Sequence, residues 1–145
     1  MKHLIASLFA CVLLLAACSS DPKPDRATPF IGDWKTDPAD SVVVYFQSFW
    51  KIERSGANMV NIVATDSIIS KVDDFLPSIA MDIPVYNSKI DESGTLVLNY
   101  SRSIPGTIFK YTGSASIVDG KLVANISTVS SADGPLGSKT LIFHR

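Results

Sequence analysis

Apolar and polar residues alternate with a period of two over much of the second half of the chain. Leu96, Leu98 and Tyr100 share one face of 95–101. Phe109, Tyr111, Gly113, Ala115 and Ile117 share one face of 107–118, with Lys110, Thr112, Ser114 and Ser116 on the other. Successive side chains of a strand point to opposite faces, so both stretches predict strands with one face against a core. Asp119-Gly120 follows, and Leu122, Ala124 and Ile126 then continue the inner face. Asp-Gly between two alternating runs is the strongest short signal for a two-residue hairpin. The loop Ser131–Gly137 reverses the chain into a last predicted strand, Lys139–Arg145.

Earlier in the chain, residues 42–53 place Val42, Val44, Phe46, Trp50 and Ile52 on one face and Val43, Tyr45, Gln47, Phe49, Lys51 and Glu53 on the other. A turn at Ser55–Asn58 sends 59–65 back as a partner strand. Consecutive hairpins of this kind predict an antiparallel meander. Residues 66–84 break the pattern, because Ile68, Val72, Phe75, Leu76 and Ile79 follow a helical spacing with Asp66 or Ser67 as cap and Pro77 as stop. One short helical turn or an irregular crossover is expected there, although Ile68-Ile69 also suits a strand.

Composition points the same way. After residue 18 the chain holds 11 Val, 13 Ile and 8 Thr against 6 Leu and 2 Glu, a balance that favours pleated surfaces over helices. The 145 residues suit one small domain, and beyond the first 18 no apolar run approaches the ~20 residues that span a bilayer. Thirteen Lys and Arg against 14 Asp and Glu give a formal charge of −1, or −2 without Lys2, and no stretch is basic. Nucleic acid is therefore not an expected partner.

The first residues carry an address. Met1-Lys2-His3 is a short basic start, and Leu4–Leu15 has the length of a secretory apolar segment. Leu15-Ala16-Ala17-Cys18 then resembles the lipobox of bacterial lipoproteins. That resemblance implies cleavage after residue 17, lipid on Cys18 and attachment to the cell envelope, with Ser19 favouring the outer membrane. Cys11 lies in the leader, so no thiol is left in the mature domain for a disulfide. Residues 18–29 hold three prolines and read as an extended tether, with the folded domain expected over 30–145.

Phe30-Ile31-Gly32-Asp33-Trp34 opens that domain and resembles the Gly-x-Trp start of lipocalins and their calycin relatives. The resemblance implies an all-β, up-and-down antiparallel barrel of about eight strands that binds a small apolar ligand. It further implies that Gly32 bends the chain into the first strand, that Trp34 plugs one end, and that a cation from the last strand covers the indole. Arg145 is the natural candidate, with Lys139 further back on the same face. The domain is short for a lipocalin, which leaves the alternative of a barrel filled by its own side chains.

Candidate ligand-lining residues are Phe46, Trp50, Tyr100, Phe109 and Tyr111, with an open end expected at the loops around 55–58, 102–106 and 131–138. On the opposite face, Val43, Tyr45 and Phe49 form an apolar outer stripe that suits a protein partner. An inhibitor or immunity-type interaction protein is thus the alternative function. Catalysis is not expected: His144 is the one histidine after the leader, and no serine sits in a Gly-x-Ser-x-Gly pattern. Asp73-Asp74 and Asp91-Glu92 read as solvated surface, and neither a zinc nor a calcium ligand set stands out. No cofactor is expected.

Overall fold

The computed structural model describes residues 24–40, 44–70 and 79–145. The residues expected to form a leader, Cys18 and most of the expected tether lie outside the described residues. A single turn of 3-10 helix, Thr28–Phe30, leads into nine strand segments: β1 Gly32–Thr36, β2 Ala39–Asp40, β3 Val44–Gly56, β4 Met59–Ser70, β5 Ile79–Lys89, β6 Leu96–Ile104, β7 Thr107–Val118, β8 Lys121–Ser130 and β9 Gly134–His144. They form one antiparallel sheet in the order β5-β4-β3-β1-β9-β8-β7-β6, with the short β2 continuing along β3. This is a nearly closed, eight-strand up-and-down barrel.

The strands β6 to β9 fall where alternation places them. Asp119 and Gly120 turn the β7–β8 hairpin with φ of 50° and 75°, the two positive angles that a tight primed turn requires. Leu96, Leu98, Ala115, Leu122, Ala124, Ile126 and Phe143 are buried. β9 starts earlier than expected, at Gly134, because a register shift between Thr128 and Val129 lets the segment around Gly137 keep pairing with β8.

Residues 66–84 differ from the helical expectation. β4 runs without interruption to Ser70, since the long β3 offers a partner for each residue up to the pair Val44 and Ser70. That cross-strand pairing outweighs the local spacing. β5 begins at Ile79 and buries Ile83 and Val85 while Asp82 and Pro84 face out. Pro84 is tolerated because β5 pairs with β4 along one side only, so its missing N–H interrupts no ladder on the other. Val72, Asp73, Asp74, Phe75, Leu76 and Pro77 lie outside the described residues.

The barrel closes in two ways. β1 joins β9 through Lys35 with His144 and Thr36 with Phe143. Between β5 and β6 the described residues form only an isolated bridge, Ile90 with Leu96, leaving a seam.

The folded part also starts earlier than Phe30. Ala27 is fully buried, the Arg26 N–H donates to Asn58 Oδ1 at 2.8 Å, and Asp25 accepts from the Ala27 N–H and Thr28 Oγ1 and pairs with Arg54. Residues 25–29, read as tether, are instead a cap that seals one end of the barrel. Their small and polar side chains gave no apolar periodicity, and only tertiary packing reveals them.

Candidate functional site

The capped end is built around Trp34. Its ring is buried, its Nε1–H donates to the Phe30 carbonyl at 2.7 Å, and the Arg145 guanidinium lies 4.6 Å from the ring centroid. Arg145 also donates to the carbonyls of Pro29 at 2.9 Å and Ile31 at 3.3 Å. Gly32 enters β1 with φ of 133°, an angle closed to other residues. Trp50 packs on Phe143 just inside, with ring centroids 4.7 Å apart. Lys139 lies away from this indole, farther along β9.

The strand directions place the turn at 55–58 beside this cap, since the Asn58 side chain and carbonyl receive the amides of Arg26 and Ile90. The expectation of an open end there is corrected: hairpins alternate between the two ends of an up-and-down barrel, and this one shares its end with the cap. The β6–β7 and β8–β9 turns, at 104–107 and 130–134, lie at the opposite, uncapped end.

That uncapped half opens into a cleft of about 510 Å³. It is lined by Thr36, Asp37 and Ala39 on one side, Lys139–Ile142 of β9 on the other, and Phe46, Gln47, Ser48, Asp66, Ser67 and Met81 between them. The opening has a structural cause. β1 pairs with β9 only through Lys35 and Thr36, while β2 stays with β3, so the wall parts where the chain turns at Asp37-Pro38. His144 Nε2 and Asp37 Oδ2, 3.3 Å apart, mark the point of divergence.

The predicted lining residues are therefore divided between two environments. Phe46 faces the cleft and is 47% exposed, so it belongs to the mouth and not to the core that alternation suggested; its strand runs past the end of β1. Trp50 is core. Tyr100 and Tyr111 stack with centroids 4.7 Å apart and, with Trp50, border an interior void of only about 20 Å³. The barrel is filled by its own side chains at this level, and the void holds about one water. Phe109 is half-buried toward the β6–β7 turn, opposite Arg102 and Ser130, and lines neither space. On the outer face Phe49 is partly exposed in a groove of about 420 Å³ beside Lys35, Lys51 and Val63. The side chains of Val43 and Tyr45 lie outside the described residues.

Apart from Lys139, placed in the sequence on the face of Arg145, several residues of this site did not stand out. Asp66, Lys139 and Leu141 border both the cleft and the inner void and thus join them. Ser48 Oγ donates to Asp66 Oδ1 at 2.5 Å. Arg102, on the inner face of β6, reaches across the seam to Met81 Sδ at 2.8 Å. The signal was present as parity: Asp66 shares its face with Ile62 and Ala64, Arg102 with Leu98 and Tyr100, and Lys139 with Leu141 and Phe143. Burial, followed by unfavourable electrostatics with Tyr111 and Asp66, raises the Tyr100 hydroxyl pKa. Burial likewise raises that of Tyr111, opposed by Arg102. Both phenols therefore keep their protons at neutral pH.

Among the described residues no three of His, Cys, Asp and Glu gather as a metal-binding group. The arrangement is thus a half-filled barrel with a side-opening, amphipathic cleft. No known protein family, curated protein or solved structure matches the chain.

Proposed function

We propose that the protein is a lipid-anchored bacterial envelope protein whose lipocalin-like barrel binds a small, largely apolar molecule in the mouth cleft without transforming it. The observation that carries this is the cleft itself. Its volume lies within the ~300–1,000 Å³ usual for small-molecule sites, and Phe46, Met81 and Leu141 give it apolar walls with a few polar groups between them. The filled interior below restricts the ligand to the mouth. The anchor rests on the lipobox-like run ending in Cys18.

Titration with Nile red, an uncharged apolar dye, tests the binding reading. One saturable site is expected, weakened at least tenfold by Phe46→Asp or Leu141→Asp in variants that still melt cooperatively. Absence of saturable binding to the folded protein refutes it. Fractionation tests the anchor: Cys18→Ser should move the protein from membranes to the soluble fraction, and retention in membranes contradicts lipidation.

A protein-binding role is a second reading, favoured by one observation. Ile108, Val129 and Leu136 are each about half exposed near the uncapped end. Ile108→Glu with Leu136→Glu should then abolish capture of a partner while leaving dye binding unchanged; capture that survives the pair counts against it.

A further inference from the structure

We infer that the outer groove on β1, β3 and β4 is the face by which the barrel rests on an anionic phospholipid bilayer, with Lys35, Lys51 and Arg145 against headgroup phosphates and Phe49 and Val63 entering the layer beneath. This rests on the reading of Cys18 as a lipid anchor.

The anchor limits which surface can meet the bilayer. Six residues separate Cys18 from Asp25, so even at full extension the two lie within about 25 Å of each other. Asp25 is fixed at the capped end by its pair with Arg54. On β3, Arg54 follows Lys51 by three residues and Phe49 by five, about 10 and 17 Å at 3.3 Å per residue. The groove therefore lies within reach of the tether. The β6–β7 and β8–β9 turns do not: strands of 10 to 12 residues, tilted as in a barrel, set them roughly 30 Å from the cap along the axis. A mouth-down barrel would hold Asp25 farther from the bilayer than the tether extends.

The makeup of the groove selects it within the capped half. Phe49 and Val63 point outward from their strands and are 38% and 40% exposed. They flank Lys51, since Phe49 precedes it by two residues and Val63 is its partner on β4, while Lys35 is the partner of Phe49 on β1. The groove, about 420 Å³, is lined by Lys35, Lys51 and Arg145 against one carboxylate, Asp33. Two more carboxylates stand at its margins, Glu53 beside Lys51 at 2.8 Å and Asp82 accepting from Thr65 at 2.6 Å. Lysine stems lie along apolar surface while their heads stay at the level of the phosphates. A face of this kind binds the interface through apolar burial together with attraction to anionic lipid. Three cations, screened by salt and offset by these carboxylates, orient an anchored protein and do not hold a free one.

Lysine footprinting on tethered protein tests this. The chain from Cys18 to Arg145 contains every described residue and a single thiol, which is coupled to maleimide-bearing lipid in vesicles. Acetylation by a water-soluble ester is then compared with that of the uncoupled protein by mass spectrometry. On phosphatidylcholine vesicles with about one third phosphatidylglycerol, Lys35 and Lys51 should react at least fivefold more slowly. Lys110, on β7 across the barrel from β3, should stay within twofold. Phosphatidylcholine alone should protect less. Phe49→Asp should abolish the protection and Phe49→Leu should keep most of it. Uniform protection, none, or protection centred on Lys89 and Lys121 at the capped end overturns the inference while leaving the anchor to the Cys18→Ser fractionation. Slowing of Lys35 and Lys51 in the uncoupled protein by glycerol phosphate alone assigns the groove to a small phosphate and likewise overturns it. Retention of the Cys18→Ser protein in membranes removes the anchor, and with it the reach on which the docking depends.

Discussion

Replacing Trp34 should remove a large share of the barrel's stability, and the structure sets the size of the effect. The ring is 2% exposed, so a side chain that buries roughly 200 Å² loses its site, worth about 5 kcal/mol at ~25 cal/mol per Å². A compact denatured state reduces that to about 3–4 kcal/mol. The lost Nε1–H bond to Phe30 adds about 1 kcal/mol, so Trp34→Ala should cost about 4–5 kcal/mol. A domain of this size has about 5–15 kcal/mol in total. Trp34→Phe keeps much of the apolar contact but leaves the Phe30 carbonyl without its donor, and should cost about 2 kcal/mol. Arg145→Ala removes an exposed cation over the ring and should cost only about 1 kcal/mol. Urea unfolding of the Cys18→Ser protein, followed by circular dichroism, measures all three. A Trp34→Ala loss below about 1 kcal/mol, or one no larger than that of Arg145→Ala, refutes the view that the indole holds the cap.

Three further outcomes are expected. Gly113→Ala places a Cβ 1.9 Å from the Asn125 carbonyl oxygen, a backbone clash that no rotamer relieves, and should cost on the order of 3 kcal/mol; an unchanged thermal melt contradicts the close strand contact. Arg54, then the Ala27 N–H and the Thr28 hydroxyl, hold the Asp25 carboxyl below its ordinary 3.8, so its contribution is full above about pH 4 and is lost as pH falls through the lower folded value. The urea-midpoint gap between wild type and Asp25→Asn should therefore narrow from pH 5 to pH 2, and a constant gap rejects this linkage. Removing residues up to 30 should destabilise the barrel far more than removing those up to 23, because Ala27 and Phe30 are buried; equal midpoints for the two truncations argue against the cap.

How much the sequence disclosed follows from which interactions are local. Alternation, the Asp119-Gly120 turn and the Gly32-Asp33-Trp34 opening are written in adjacent residues, and the class, the β6–β9 strands and the barrel could be derived from them. β5 escaped because a helical spacing over 68–79 competed with the shorter alternation of 81–85, and only the long β3–β4 pairing decides between them. The cap was hidden because it is held by single contacts to distant residues, such as Arg26 with Asn58. The cleft depends on β1 and β9 parting, a relation between the two ends of the domain. Of the charges that border it, Lys139 is legible on the face it shares with Leu141 and Arg145, whereas Asp66 was passed over because a lone charged residue in a strand is ordinarily turned to water.

A tube cut along its length resists bending almost as well as a whole one, but it yields easily to twisting. The β5–β6 seam is such a cut: the backbone bridge Ile90–Leu96 holds it at the capped end, and farther along the Arg102–Met81 contact is a side-chain hook. Twisting compliance is therefore concentrated on one line, and the two lips of that line carry Met81, which borders the cleft, and Tyr100, which borders the void. A load on either wall is expected to be taken up by slip along the seam, while the seven laddered joints keep their register.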